Sequence, residues 1–132
     1  QITQTGRVRL FASDNPNYPD GGQMRDFIYV KDCVEVMWWL MQNPLINGVF
    51  NLGTGRARTW NDMAGALFAA MGREGNIEYI PLPEQLRGKY QYFTQAAMDR
   101  LAATGCPMPR FSLEEGIADY VANYLQKDDP YL

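Results

Sequence analysis

Three places in the chain carry side chains able to act on a charged ligand. Arg25 follows a stretch rich in glycine and proline, and a guanidinium at a loop edge can donate two parallel hydrogen bonds to a phosphate or pyrophosphate. The competing assignment is a surface ion pair with Asp26 or another neighbour, and charge alone favours it. Gly53-Thr54-Gly55 stands between an apolar run and a helical pattern, the place of a phosphate-cradling loop. Position 58 is Arg58 rather than a third glycine, and no Lys-Ser/Thr follows, so a tight structural turn carries more weight. Arg87, Lys89, Tyr90 and Tyr92 form a basic-aromatic cluster. It could hold an anion with a ring packed on a sugar or base. It could equally be half-buried tyrosines with a solvated cationic rim.

Histidine is absent, which removes Ser-His-Asp and Cys-His triads, His-ligated zinc and an imidazole base. Two cysteines, Cys33 and Cys106, are too few for a disulfide framework or a four-Cys metal site, so no metal is expected. Cys33 reads as a small buried hydrophobe, and a reducing cytoplasmic compartment is the simplest expectation. Twelve Lys and Arg against 15 Asp and Glu leave a net charge of -3, which argues against a nucleic-acid partner. The longest apolar run, Val36 to Met41, is far short of the about 20 residues of a membrane span. Gln1 to Arg7 has no signal-peptide shape and no initiator Met, as expected of a chain that begins mid-protein. The Glu114-Glu115 pair falls in a helix's first turn, where acids favour the dipole, and takes no catalytic role.

The chain's 132 residues, 46% hydrophobic and 20% charged, suit one globular α/β unit. Strands are expected at 7–11 and 77–80 from alternation, and also at 26–30 and at 48–53, the latter ending in glycine. A turn-rich loop spans 12–22, and residues 84–93 read as a loop. Asp32 is expected to cap a helix over 33–41, stopped by Asn43-Pro44. Thr59 with Asp62, and Ser112 with Glu115, read as caps with an acid three residues on. Thr94 is expected to cap a helix through Leu101, closed by Gly105. The 33–41 helix is apolar nearly all round and needs cover from a partner chain or an upstream domain.

The order of these pieces is more specific than any one of them. Arg25-Asp26-Phe27-Ile28-Tyr29-Val30-Lys31-Asp32, then Phe50-Asn51-Leu52-Gly53-Thr54-Gly55, resembles the C-terminal half of the extended short-chain dehydrogenase/reductases, a family of nucleotide-sugar epimerases and dehydratases. Gly55 to Trp60, Ile77 to Pro81 and Leu86 to Ala96 are similar to the branch that acts on an ADP-activated heptose, from about residue 6 to residue 126.

The resemblance implies an α/β fold: the C-terminal, substrate-binding portion of an extended Rossmann-type epimerase over 1–126, with 127–132 a frayed tail. It implies an ADP-heptose nucleotide sugar as substrate, inverted at C6 by transient oxidation and re-reduction with NADP, for lipopolysaccharide core synthesis. The family's substrate-binding stretch falls on Phe11, Ala12, Ser13 and Asp14, its arginine on Arg25 and its tyrosine on Tyr90. Phe-Ala-Ser-Asp stands where the family commonly has Phe-acid-Gly-Ser, and the 13 residues from Ala12 to Met24 make a longer loop. The family's dinucleotide fingerprint and Tyr-x-x-x-Lys lie upstream, and none of Lys31, Lys89 and Lys127 stands four residues after a tyrosine. No turnover is therefore expected from these 132 residues alone, an upstream Rossmann domain is the expected partner, and a homo-oligomer is expected. The competing readings are a non-catalytic sugar-nucleotide binding or assembly module, and a sister UDP- or GDP-sugar epimerase or dehydratase.

Overall fold

The computed structural model describes residues 1–127. A single helical turn, Ile2–Thr5 (α1), buries Ile2 and leads into Val8–Phe11 (β1). β1 pairs in parallel with Ile77–Ile80 (β4), in register from Val8 opposite Ile77 to Phe11 opposite Ile80. A parallel pair needs a long crossover, and the whole of 12–76 lies between the two strands. Met24–Arg25 (β2) runs antiparallel to Arg58–Thr59 (β3), and Met24 also bridges Phe93. These two small ladders fix the ends of β1 and β2 relative to the segments that follow β3 and β4.

Helices Val30–Gln42 (α2), Trp60–Ala70 (α3), Asp99–Ala102 (α4) and Leu113–Tyr120 (α5) complete the framework. The Thr59 hydroxyl accepts from Asp62 N at 3.0 Å while the Asp62 carboxylate accepts from Thr59 N at 3.0 Å. Ser112 and Glu115 do the same for α5, so each helix start satisfies donors that would otherwise be orphaned. α5 runs on into a π-helical turn, Val121–Leu125, and packs on α3. The core has two parts. Val36, Met98, Leu101 and Cys106 cluster beneath Trp39, Phe50 and Leu52, while Ala64, Phe68 and Val121 are buried elsewhere.

Five local expectations are corrected. Residues 26–30 and 48–53 form no strand, because their backbone N–H groups find no partner strand among the described residues. α2 starts at Val30 with Tyr29 at its cap position, so Asp32 is no N-cap. It lies buried in the first turn, where its carboxylate accepts from Arg110 N at 3.1 Å and Phe111 N at 3.2 Å. Thr94 caps nothing, and the short helix begins only at Asp99. Cys33 is half-buried rather than buried. The expected frayed tail lies, beyond Lys127, outside the described residues.

α2 is sided. Val36 and Asp32 face the core, while Val30, Val34, Met37, Trp38 and Met41 form an exposed stripe with Met41 73% and Trp38 58% exposed. Their spacing places them on one helical face. Among the described residues no helix is long and apolar enough to cross a membrane.

Candidate functional site

β2 is the pivot of the site. Its partner β3 fixes one edge, and on the other Met24 N donates to Tyr92 O at 2.8 Å while Thr94 N donates to Met24 O at 3.2 Å. Arg25 is thereby held close to the 84–93 segment. A 3₁₀ turn at Glu84–Leu86 starts that segment, and Tyr90 N donates to Leu86 O at 2.9 Å. The Arg25 guanidinium lies 5.3 Å from the centre of the Tyr90 ring, within cation–π range. Its Nη1 donates to Met24 O at 2.7 Å. Among the described residues no carboxylate forms an ion pair with it. The ion pair with Asp26 that charge favoured is not made.

Tyr90 meets Phe11 edge-on at 6.2 Å and Tyr92 at 5.6 Å, and Tyr92 meets Tyr18 at 5.0 Å. Four rings thus run in a row from the end of β1 to the loop after it, with Arg25 on the second. Beside the row is a cavity of about 210 Å³ lined by Arg9, Leu10, Phe11, Gln23, Trp60 and Tyr90. That is smaller than the roughly 300–1,000 Å³ that takes a whole ligand, so it suits one moiety. Gln23 is buried and donates to Phe11 O at 3.3 Å, and the Trp60 Nε1 is buried without a partner. Neither residue gave a signal in the sequence, Gln23 being one polar residue in a glycine-rich loop and Trp60 an apolar helix start.

Phe11, Arg25 and Tyr90 are therefore brought together. Asp14 joins them through Tyr92, whose hydroxyl donates to Asp14 Oδ1 and accepts from Asp14 N at 3.0 Å. Ala12 N extends the β1–β4 ladder by donating to Ile80 O at 2.8 Å. Ser13 turns into its own loop, its N–H on Asp20 Oδ1 at 2.7 Å and its hydroxyl on Asn15 O at 2.9 Å. Arg87 and Lys89 are exposed and form no ion pair among the described residues.

Gly53-Thr54-Gly55 behaves as the structural turn. The Asp26 carboxylate accepts from Thr54 N at 2.7 Å, Thr54 Oγ1 at 2.5 Å, Gly55 N at 2.9 Å and Ala96 N at 3.0 Å. Burial raises the Asp26 pKa, but the bonds from the Thr54 hydroxyl and these N–H groups outweigh it and hold the carboxyl below its ordinary 3.8. A Cβ on Gly53 would sit 2.5 Å from Asp26 Oδ2 and 2.6 Å from Ala96 Cβ, so only glycine fits. The turn's donors are committed to an internal anion, and this Gly-x-Gly does not fit the pyrophosphate of a dinucleotide.

The model of the NAD dependent epimerase/dehydratase family matches residues 4–53. An ADP-L-glycero-D-manno-heptose-6-epimerase of Nitratidesulfovibrio vulgaris strain DP4 is 65% identical over all 132 residues, and the chain spans 41% of that relative's length. Among solved structures, the Helicobacter pylori ADP-L-glycero-D-manno-heptose-6-epimerase superposes on 92% of this chain with a TM-score of 0.71 at 27% identity, over 34% of that chain. A Thermus thermophilus UDP-glucose 4-epimerase in complex with NAD superposes on 85% of this chain with a TM-score of 0.68 at 27% identity, over 33% of that chain. The similarity thus extends along the whole chain, and its α/β fold is shared with part of these Rossmann-type epimerases.

Proposed function

We propose that the chain is the substrate side of an epimerase that inverts C6 of the heptose in an ADP-activated glycero-manno-heptose, a step toward the lipopolysaccharide core. One observation carries the reading: three of the positions that the resemblance assigns to substrate contact, Phe11, Arg25 and Tyr90, converge on one face although 64 residues lie between Arg25 and Tyr90. An arginine without a carboxylate partner, laid on an aromatic ring beside a one-moiety cavity, suits a diphosphate flanked by a ring system. Isothermal titration of ADP, UDP and GDP against the full-length protein tests it. ADP should bind tightest. A preference for UDP or GDP would instead favour a sister epimerase or dehydratase.

The cofactor in this reading is NADP, held by an upstream Rossmann domain, since the one Gly-x-Gly turn here is committed to Asp26. Tighter binding of NAD than of NADP by the full-length protein would overturn the choice. The exposed stripe of α2 is where that domain packs. Supporting this are the 59% of the relative's length that lies outside the chain, and the backbone of 26–28 and 47–53, which has no hydrogen-bond partner among the described residues and is able to extend a sheet. The 132 residues alone should show no turnover with NADP and should self-associate. Turnover, or a stable soluble monomer, would count against this division of labour and favour a free-standing binding module.

A further inference from the structure

The loop after β1 is folded on itself and tied at both ends. Ser13 N donates to Asp20 Oδ1 at 2.7 Å, Tyr18 N to Asn15 O at 3.0 Å, and Gly22 N to Pro19 O at 2.9 Å. Asn61 at the start of α3 fastens the far end, its N–H donating to Gly21 O at 3.0 Å and its Nδ2 to Asp20 O at 2.9 Å. Gly21 has φ 67°, and a Cβ there would lie 2.1 Å from Asn61 Oδ1, so this fastening requires glycine.

One side chain joins the near part of the loop to the site. Tyr92 gives its hydroxyl to Asp14 and its ring to Tyr18 at 5.0 Å, while its carbonyl is fixed by Met24 N at 2.8 Å. The same ring lies 5.6 Å from Tyr90, which carries the Arg25 guanidinium. The carboxylate makes this a charge-assisted hydrogen bond, and one oxygen bonded in both directions to a single residue fixes that residue's backbone and its side chain together.

We propose that Tyr92 is a positioning residue: through Asp14 and Tyr18 it holds the Ala12–Gly22 loop as a strap against the Arg25–Tyr90 face, so that the substrate meets an ordered site. The inference rests on the nucleotide-sugar reading above. It also gives Asp14 a role distinct from substrate contact, since its N–H and one carboxylate oxygen are spent on Tyr92. A binding loop ordered beforehand does not have to be ordered by the ligand, and the loss of that preorganisation falls on affinity.

The test uses the full-length protein and the ADP-activated heptose, with KM, kcat and thermal midpoint measured for each variant. Tyr92→Phe keeps the ring and removes the hydroxyl. It should raise KM about tenfold, the scale of one hydrogen bond to a charged group, with kcat and the thermal midpoint unchanged. Asp14→Ala should match it, Asp14→Asn should recover most of the loss, and the double variant Tyr92→Phe with Asp14→Ala should be no worse than either alone. Additive losses in the double variant, or an unchanged KM in Tyr92→Phe, would overturn the strap. Arg25→Ala is the control that separates the two ideas. If it raises KM while Tyr92→Phe does not, the strap alone falls; if neither changes KM, the nucleotide-sugar reading of this face falls with it.

Discussion

Arg25 and Asp26 are consecutive, yet they serve two regions in opposite states. On the Asp26 side, four donors from the 53–55 turn and from Ala96 close on one carboxylate, and the region is complete without any ligand. On the Arg25 side, the guanidinium has one carbonyl and one aromatic face, and most of its five N–H donors remain to be used. The difference separates a motif from a site. The turn that resembles a phosphate cradle already contains its anion, and of these two neighbours it is Arg25, laid on the aromatic row, that keeps donors for another. Hydrogen-bond accounting of this kind distinguishes the two where glycine spacing does not.

Removing the internal anion should have the greatest consequence. Asp26→Ala leaves three N–H groups and a hydroxyl without their acceptor, and should cost about 3 kcal/mol or more of stability, read as a fall in the urea midpoint of the full-length protein. Asp26→Asn keeps one acceptor oxygen and should fall between. Arg25→Ala should cost only about 1 kcal/mol by the same measure, since it loses one bond to the Met24 carbonyl and its contact with the Tyr90 ring and leaves no buried donor without an acceptor. Similar costs for the two alanine variants would end the distinction. The acid limb sharpens it. Because the folded carboxyl lies below its ordinary 3.8, its contribution is complete above that value and is lost as pH falls through the lower, folded value. The wild-type protein should therefore lose stability below about pH 4 more steeply than Asp26→Asn.

The converse experiment reads ligand affinity. Arg25→Ala should weaken ADP binding by about 10- to 100-fold, the scale of one or two hydrogen bonds to a charged phosphate. Arg25→Lys should recover only part of it, because an ammonium places a point charge where a planar fork is needed. A full recovery with lysine would mean that charge, rather than fork geometry or the stacking on Tyr90, is what the face supplies.

What the sequence disclosed follows the range of the interactions. The capping boxes at Thr59 and Ser112 were legible because the cap and its partner stand three residues apart. β1 and β4 were legible as alternating runs, although nothing local announced that they would pair with each other. Residues 26–30 and 48–53 carry the composition of strands and are not strands, since a strand exists only when a neighbour completes its ladder. Arg25 and Tyr90 could each be nominated from charge and ring chemistry, but their meeting needs β2 pinned between β3 and Tyr92, and only the family resemblance linked them beforehand. Gln23, Trp60 and the strap function of Tyr92 depend wholly on tertiary placement, and no spacing rule marks them.

The smallest expected effect tests whether closure by a carboxylate recurs away from the site. Tyr29 Oη donates to Asp119 Oδ2, which also receives Lys31 Nζ at 2.6 Å, so this carboxylate ties the start of α2 to α5. Burial first, then the hydrogen bond to Asp119 and its negative charge, push the Tyr29 phenol from 10.0 up to about 12, against the opposing charge of Lys31. A phenol raised in the folded state stabilises it fully below pH 10 and loses that contribution as pH climbs through 12. A phenolate absorbance titration of Asp119→Asn should show one tyrosine moving back toward 10, with stability at neutral pH changed less than by Asp26→Ala. That ranking follows from exposure, since Lys31 and Asp119 are both only half-buried, so solvent screens their attraction. An unchanged tyrosine titration would mean that burial alone holds the phenol, and that the carboxylate here, unlike Asp26, organises nothing.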